Sequence, residues 1–160
     1  MIFPPWINKY YIMDLREENS LIRWLVDKGL TVMVVSWRSA DDEIRDFGWD
    51  DYIEQGVMAA VHEALAQTGA DQLNAIGYCI GGTLLTGALA YMAQKGDERI
   101  ASAPFFASQS DFSDAGDLMV FTDEASLNTI DPVIEENNGI MPGEMTGETF
   151  NWLRPVDLVW

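Results

Sequence analysis

Asn74-Ala75-Ile76-Gly77-Tyr78-Cys79-Ile80-Gly81-Gly82-Thr83 decides the reading of this chain. A short apolar run stops at Gly77, and the chain's one cysteine, Cys79, follows two positions later. Two glycines come next, then the apolar stretch from Leu84 to Met92. Gly-x-Cys-x-Gly is the nucleophile-elbow pattern, with cysteine in place of the usual serine. A strand that turns sharply into a helix needs little steric bulk on either side of the turn, which the glycines supply. The spacing predicts a strand ending at Gly77, Cys79 exposed at the turn, and a helix running to about Lys95. The positive end of that helix favours a thiolate. The N–H of Ile80 is expected to point where a carbonyl oxygen becomes an oxyanion.

Outward from this stretch, buried strands alternate with amphipathic helices. Leu30-Thr31-Val32-Met33-Val34-Val35-Ser36 is a nearly continuous β-branched run, as in a strand covered on both faces of a parallel sheet. Ile53, Val57, Ala60, Val61, Ala64 and Leu65 mark an apolar helix face between Asp50 and about Gln67. Ser20 caps an earlier helix with Leu21, Ile22, Leu25 and Val26 on one face, and Gly29 ends it. Ile100 to Phe106 reads as a further strand. Met1-Ile2-Phe3 looks like the end of a strand, and Pro4-Pro5-Trp6-Ile7-Asn8-Lys9 like a rigid loop. This alternation is the signature of an α/β parallel sheet. Right-handed crossovers would bring Cys79, the Pro4–Lys9 loop and Asp111 to one sheet edge, where α/β proteins bind ligands. After Phe106 the rhythm breaks. Thr122 and Asp123 begin a predicted helix through Leu127 and Ile130, interrupted at Pro132 and ended by Asn137-Asn138-Gly139.

Composition narrows the function classes. The 160 residues carry 26 acidic and nine basic side chains, a net charge of −17, with 48% hydrophobic residues. That is a core-forming acidic chain, and the scattered Lys and Arg form no cluster able to neutralise nucleic-acid phosphates. No apolar run approaches the roughly 18 residues of a membrane span. One cysteine makes no internal disulfide, which fits a reducing cytoplasm. No group of His, Cys and carboxylates has metal-ligand spacing, so no cofactor or metal is expected.

Several stretches match one family. They are Pro4-Pro5-Trp6-Ile7-Asn8-Lys9-Tyr10-Tyr11-Ile12-Met13-Asp14-Leu15, Val35-Ser36-Trp37-Arg38, Trp49-Asp50-Asp51-Tyr52-Ile53 and the Gly77–Gly82 elbow. Asp111-Phe112-Ser113, Phe121-Thr122-Asp123-Glu124 and Leu153-Arg154-Pro155-Val156-Asp157-Leu158-Val159-Trp160 extend the match. Together they resemble the poly(3-hydroxyalkanoate) synthases, most closely the class I form. The resemblance implies an α/β-hydrolase fold, with residues 1–107 as part of its core and 108–160 as the start of a cap. It implies acyl transfer from (R)-3-hydroxyacyl coenzyme A, the substrate, to a growing polyester, with Cys79 as nucleophile. A thiol suits this because it exchanges readily with thioesters. It also implies one oxyanion contact from the Ile80 N–H and another from the Pro4–Ile7 loop, a homodimer, and a cytoplasmic enzyme at the polyester granule surface.

The family places its catalytic aspartate and histidine well downstream of the cysteine. Here the one histidine, His62, precedes it. The catalytic Asp and His are therefore expected outside this chain, which reads as an internal fragment, inactive and poorly soluble alone. Met1–Phe3 would be the remnant of a strand lying between those at 30–36 and 72–77. His62 reads as a helix-surface residue. Asp111 reads as a loop cap or pocket-lining residue before it reads as a triad acid, and Trp37 and Arg38 as packing at the sheet edge. The rival enzyme reading is a cysteine-dependent α/β hydrolase of the dienelactone hydrolase type, against which the Asn8–Tyr11 and Trp49–Ile53 stretches count.

Overall fold

A computed structural model describes residues 1–6, 10–116, 119, 124–143 and 145. The expectations for Ile7–Lys9, the Thr122–Asp123 helix start and the Leu153–Trp160 match lie outside the described residues. The chain divides into two compact units. One holds Met1–Ser39 with Phe47–Ser110, and the other holds Ala40–Asp46 with the described residues from Asp111 onward.

The first unit is α/β. Its first strand is β1 (Ile2–Phe3), wholly buried, with Ile2 1% and Phe3 0% exposed. On one side β1 bridges Val34 in parallel. The Ile2 N–H donates to the Met33 carbonyl at 2.8 Å, and the Val35 N–H donates to the Ile2 carbonyl at 3.0 Å. On its other side β1 pairs in parallel with β3 (Ile76–Tyr78), Ile2 opposite Ile76 and Phe3 opposite Gly77. So Met1–Phe3 does lie between the 30–36 run and the strand that leads to the elbow. β2 (Leu73–Asn74) pairs with β4 (Ile100–Ser102), and β3 with β5 (Phe105–Phe106), again in parallel.

Three strand expectations need correction. The single strand read at 72–77 is two, β2 and β3, parted at Ala75, paired in different sheets and ending at Tyr78. The 30–36 run is not covered on both faces. Leu30 is 53% exposed, Val32 to Val35 are half-buried, and among the described residues Val34 alone forms a bridge there. Branching at Cβ favours extended backbone, whereas two-sided burial depends on what packs against it. The single strand expected over Ile100–Phe106 is two, parted at Ala103-Pro104. Proline has no N–H and cannot donate to a ladder. The Pro104 carbonyl still accepts the Gly77 N–H at 3.1 Å, so the second half stays in register.

The helices pack on this sheet. Ser20 Oγ accepts the Arg23 N–H at 2.8 Å and caps α1 (Leu21–Asp27), and Gly29 ends that region at φ 82°. A second helical segment runs through α2 (Trp49–Asp51), a π-helical stretch (Tyr52–Met58) and α3 (Ala59–Thr68). At its start the Asp51 carboxylate accepts the Gly48 N–H at 2.9 Å. Ile53, Val57, Val61 and Ala64 form its buried face, and the first three cluster with Leu84, Leu85 and Ala88 of α4 (Ile80–Lys95) and with Phe3. Gly96, at φ 67°, ends α4 after Lys95, the limit the spacing predicts.

In the second unit Asp41 Oδ1 accepts the Glu43 and Ile44 N–H groups. α5 (Glu124–Glu136) runs through Pro132 and is not interrupted by it. Pro132 merely leaves the Asn128 carbonyl without its i+4 amide donor. The helix ends at Glu136, and Asn138 and Gly139 follow at positive φ, with the Gly139 N–H donating to the Ile134 carbonyl at 2.8 Å.

Candidate functional site

The site is built from the end of β3 upward. Cys79 has φ 55° and ψ −133°, a conformation that costs a non-glycine residue about 1–3 kcal/mol. Local bonds hold it there. Its N–H donates to the Phe106 carbonyl at 3.0 Å, continuing the β3–β5 ladder one residue past the strand. Its carbonyl accepts the Gly82 N–H at 2.9 Å and the Thr83 N–H at 3.3 Å, which opens α4. The thiol is free and partly exposed. Ile80 is the first residue of α4, and first-turn amides have no carbonyl partner within their own helix.

The glycines are there for space. A Cβ on Gly77 would lie 2.5 Å from the Gly82 Cα. One on Gly81 would lie 2.5 Å from the Pro4 carbonyl oxygen, and one on Gly82 would strike the Ser108 hydroxyl. The elbow thus has two immediate neighbours. On one side is the backbone of Phe3 and Pro4. On the other is the turn after β5, where Ala107 has φ 45° and the Thr83 hydroxyl donates to the Gln109 carbonyl at 2.6 Å. Ser108 and Gln109 are the site neighbours that the sequence reading missed. Their contacts depend on a turn with no periodic signal, and only the second glycine of the pair hints at a close approach.

Pro4 and Pro5 are fully buried. The Trp37 Nε1–H donates to the Pro4 carbonyl at 2.7 Å. The Trp6 ring stacks on Tyr52 at 4.9 Å between centroids and meets Trp37 edge-on at 5.7 Å. Trp37 packs here, as expected, whereas Arg38, also expected to pack at the sheet edge, is exposed: its charged head stays in water.

His62 is exposed on α3. Asp111 belongs to the second unit, where its Oδ1 accepts the N–H and hydroxyl of Ser113 at 2.9 and 2.7 Å. Those two donors hold its carboxyl below the usual carboxylate range, as expected of a loop cap. An apolar hollow of about 330 Å³, lined in part by Met1, Leu30, Met33, Leu73 and Ile76, opens at the other end of the strands from Cys79. Among the described residues no group of three His, Cys, Asp or Glu is placed to hold a metal ion. No helix among them is long and apolar enough to cross a membrane.

Comparison with known proteins agrees with the motifs. Residues 1–25 match a family model described as the poly-beta-hydroxybutyrate polymerase (PhaC) N-terminus. Over all 160 residues the chain is 45% identical to the poly(3-hydroxyalkanoate) polymerase of Methylorubrum extorquens, and it covers 26% of that protein. It is 42% identical to the poly(3-hydroxyalkanoate) polymerase subunit PhaC of Rhizobium meliloti and 40% identical to that of Cupriavidus necator, in both cases over 100% of this chain. It covers 26% and 28% of those two proteins, so the chain spans about a quarter of the length of the curated relatives it matches.

Proposed function

From the chain's membership of the poly(3-hydroxyalkanoate) polymerase family, we propose that the protein carrying it polymerises (R)-3-hydroxyacyl groups taken from coenzyme A thioesters. The Cys79 thiolate attacks the thioester carbonyl carbon, and the carbonyl oxygen becomes an oxyanion. Collapse of that adduct expels the coenzyme A thiolate and leaves an acyl–Cys79 thioester. The hydroxyl of another hydroxyacyl unit, giving its proton to a general base, then attacks this thioester; the acyl carbon–sulfur bond breaks, the Cys79 thiolate leaves, and the new ester bond lengthens the chain. One observation carries the reading. Cys79 stands in a strained, backbone-locked turn between the end of β3 and the start of α4, within a chain-long family match. The strain is what presents the side chain, since ordinary strand or helix geometry would lay it against a neighbour.

Within this reading the fold is part of an α/β hydrolase, and the segment from 108 onward begins a cap. The Ile80 N–H and an N–H of the Pro4–Ile7 loop receive the oxyanion. The closeness of Gly81 to the Pro4 carbonyl supports that pairing. A general base and its acid partner come from sequence beyond these 160 residues, since His62 faces solvent and Asp111 is engaged by Ser113. The enzyme works as a cytoplasmic homodimer at the granule surface.

The test is a chimera in which this chain replaces the matching stretch of the Methylorubrum extorquens polymerase. With 3-hydroxybutyryl coenzyme A it should form polymer, and Cys79→Ala should abolish both coenzyme A release and polymer. Activity surviving Cys79→Ala would overturn the reading. So would rapid lactone opening without polymer, which is the behaviour of the rival hydrolase.

A further inference from the structure

We propose that Trp37 is a positioning residue, whose indole N–H aims the loop after β1 at the acyl oxygen. The inference rests on the reading of Cys79 as nucleophile and adds a residue to it. Pro4 and Pro5 have no amide proton, so the first N–H after Phe3 belongs to Trp6. Whatever hydrogen bond this loop gives an oxyanion therefore depends on where the Pro4–Trp6 backbone is held. Two groups hold it. Gly81 of the elbow lies against the Pro4 carbonyl from one side. Trp37, 33 residues away in sequence, donates its Nε1–H to that same carbonyl at 2.7 Å.

Trp37 is itself seated firmly. A Cβ at Gly56 would lie 2.5 Å from its six-membered ring, so the ring occupies the space that a side chain would fill. Gly56 falls in the π-helical stretch Tyr52–Met58, and wide helical turns of this kind recur at functional sites. Tyr52 of that stretch stacks on Trp6 and packs at 5.9 Å from Trp37. The loop's carbonyl and the loop's ring are thus both tied to one indole. Shape alone would be served by any aromatic ring. The N–H acts on the Pro4 carbonyl, a backbone group that the elbow also meets at Gly81.

The measurement uses the chimera and the Trp37→Phe variant, which keeps an aromatic ring and removes the donor. Three quantities are read: kcat and KM for 3-hydroxybutyryl coenzyme A, the rate of Cys79 alkylation by iodoacetamide, and Tm. We expect kcat to fall about tenfold or more, with KM and the alkylation rate within about twofold, since a displaced oxyanion donor acts on the transition state alone. If Trp37→Phe does not fold, 3-(3-benzothienyl)alanine at position 37 supplies the same ring shape without the N–H, and the same loss is expected. Unchanged kcat in the folded variant overturns the proposal. A parallel fall of kcat, alkylation rate and Tm also overturns it, because that is the pattern of general damage to the elbow. The Cys79→Ala chimera separates the two levels: its inactivity upholds the nucleophile whatever Trp37 does.

Discussion

The two ends of the central strands are built differently. At the C-terminal end the approaches are close: backbone meets backbone at Gly77 with Gly82 and at Gly81 with Pro4, and Gly82 meets the Ser108 side chain. There a cysteine sits at φ 55° and stays there. At the N-terminal end the strands open onto an apolar hollow of about 330 Å³, and Leu30 on its lining is 53% exposed. Near that end a charge pair closes the turn after α4, with Arg99 donating to the Asp97 carboxylate at 2.6 to 3.0 Å. Close packing is spent where a strained conformation must be maintained. Strain of this kind persists only where the surroundings over-determine it.

The largest break comes from crowding the tight end. In the chimera, Gly81→Ala forces a Cβ into the Phe3 and Pro4 carbonyls, which are fixed backbone. Overpacking of this kind should cost about 3 kcal/mol, read as a lower denaturant midpoint, with polymer formation lost. A smaller effect isolates the strain itself. Cys79→Gly and Cys79→Ala both remove the thiol, but only glycine adopts positive φ freely. The glycine variant should unfold later than the alanine variant, by about 1 kcal/mol. Equal stabilities would show that the elbow imposes no backbone cost.

The open end should respond weakly. Asp97→Asn removes an ion pair at a partly exposed turn and should cost about 0.5 kcal/mol near neutral pH. The Arg99 hydrogen bonds hold the Asp97 carboxyl below its usual value. Its contribution is therefore present above the unfolded value of about 3.9 and lost as pH falls through the lower folded value. The stability difference between wild type and Asp97→Asn should shrink over that acid window, as read by urea unfolding at stepped pH. Leu30→Ser should stay within about 0.5 kcal/mol, since Leu30 already faces solvent.

Local rules made much of this legible in the residues themselves. Two glycines flanking a cysteine after an apolar run imply an elbow, because few other residues permit the turn. Ser20 and Gly29 bound α1, and Gly96 ends α4, through capping chemistry confined to a few neighbours. Isoleucine and phenylalanine at 2 and 3 suggested a strand, and the pattern of motifs around them named the family. Other features depend on groups distant in sequence. A β-branched run does not say which face is covered, so the 30–36 segment became a half-exposed partner of Ile2. Proline at 104 splits a strand without ending it, because its neighbour's register is set by Gly77. The Trp37 bond to Pro4, the seat at Gly56 and the approach of Ser108 to Gly82 belong wholly to tertiary structure. A contact spanning 33 residues leaves no periodicity to read. The elbow at Cys79 was thus determined by sequence, because steric permission for its turn is local. What surrounds that cysteine was decided by the fold, because packing is a property of surfaces brought together.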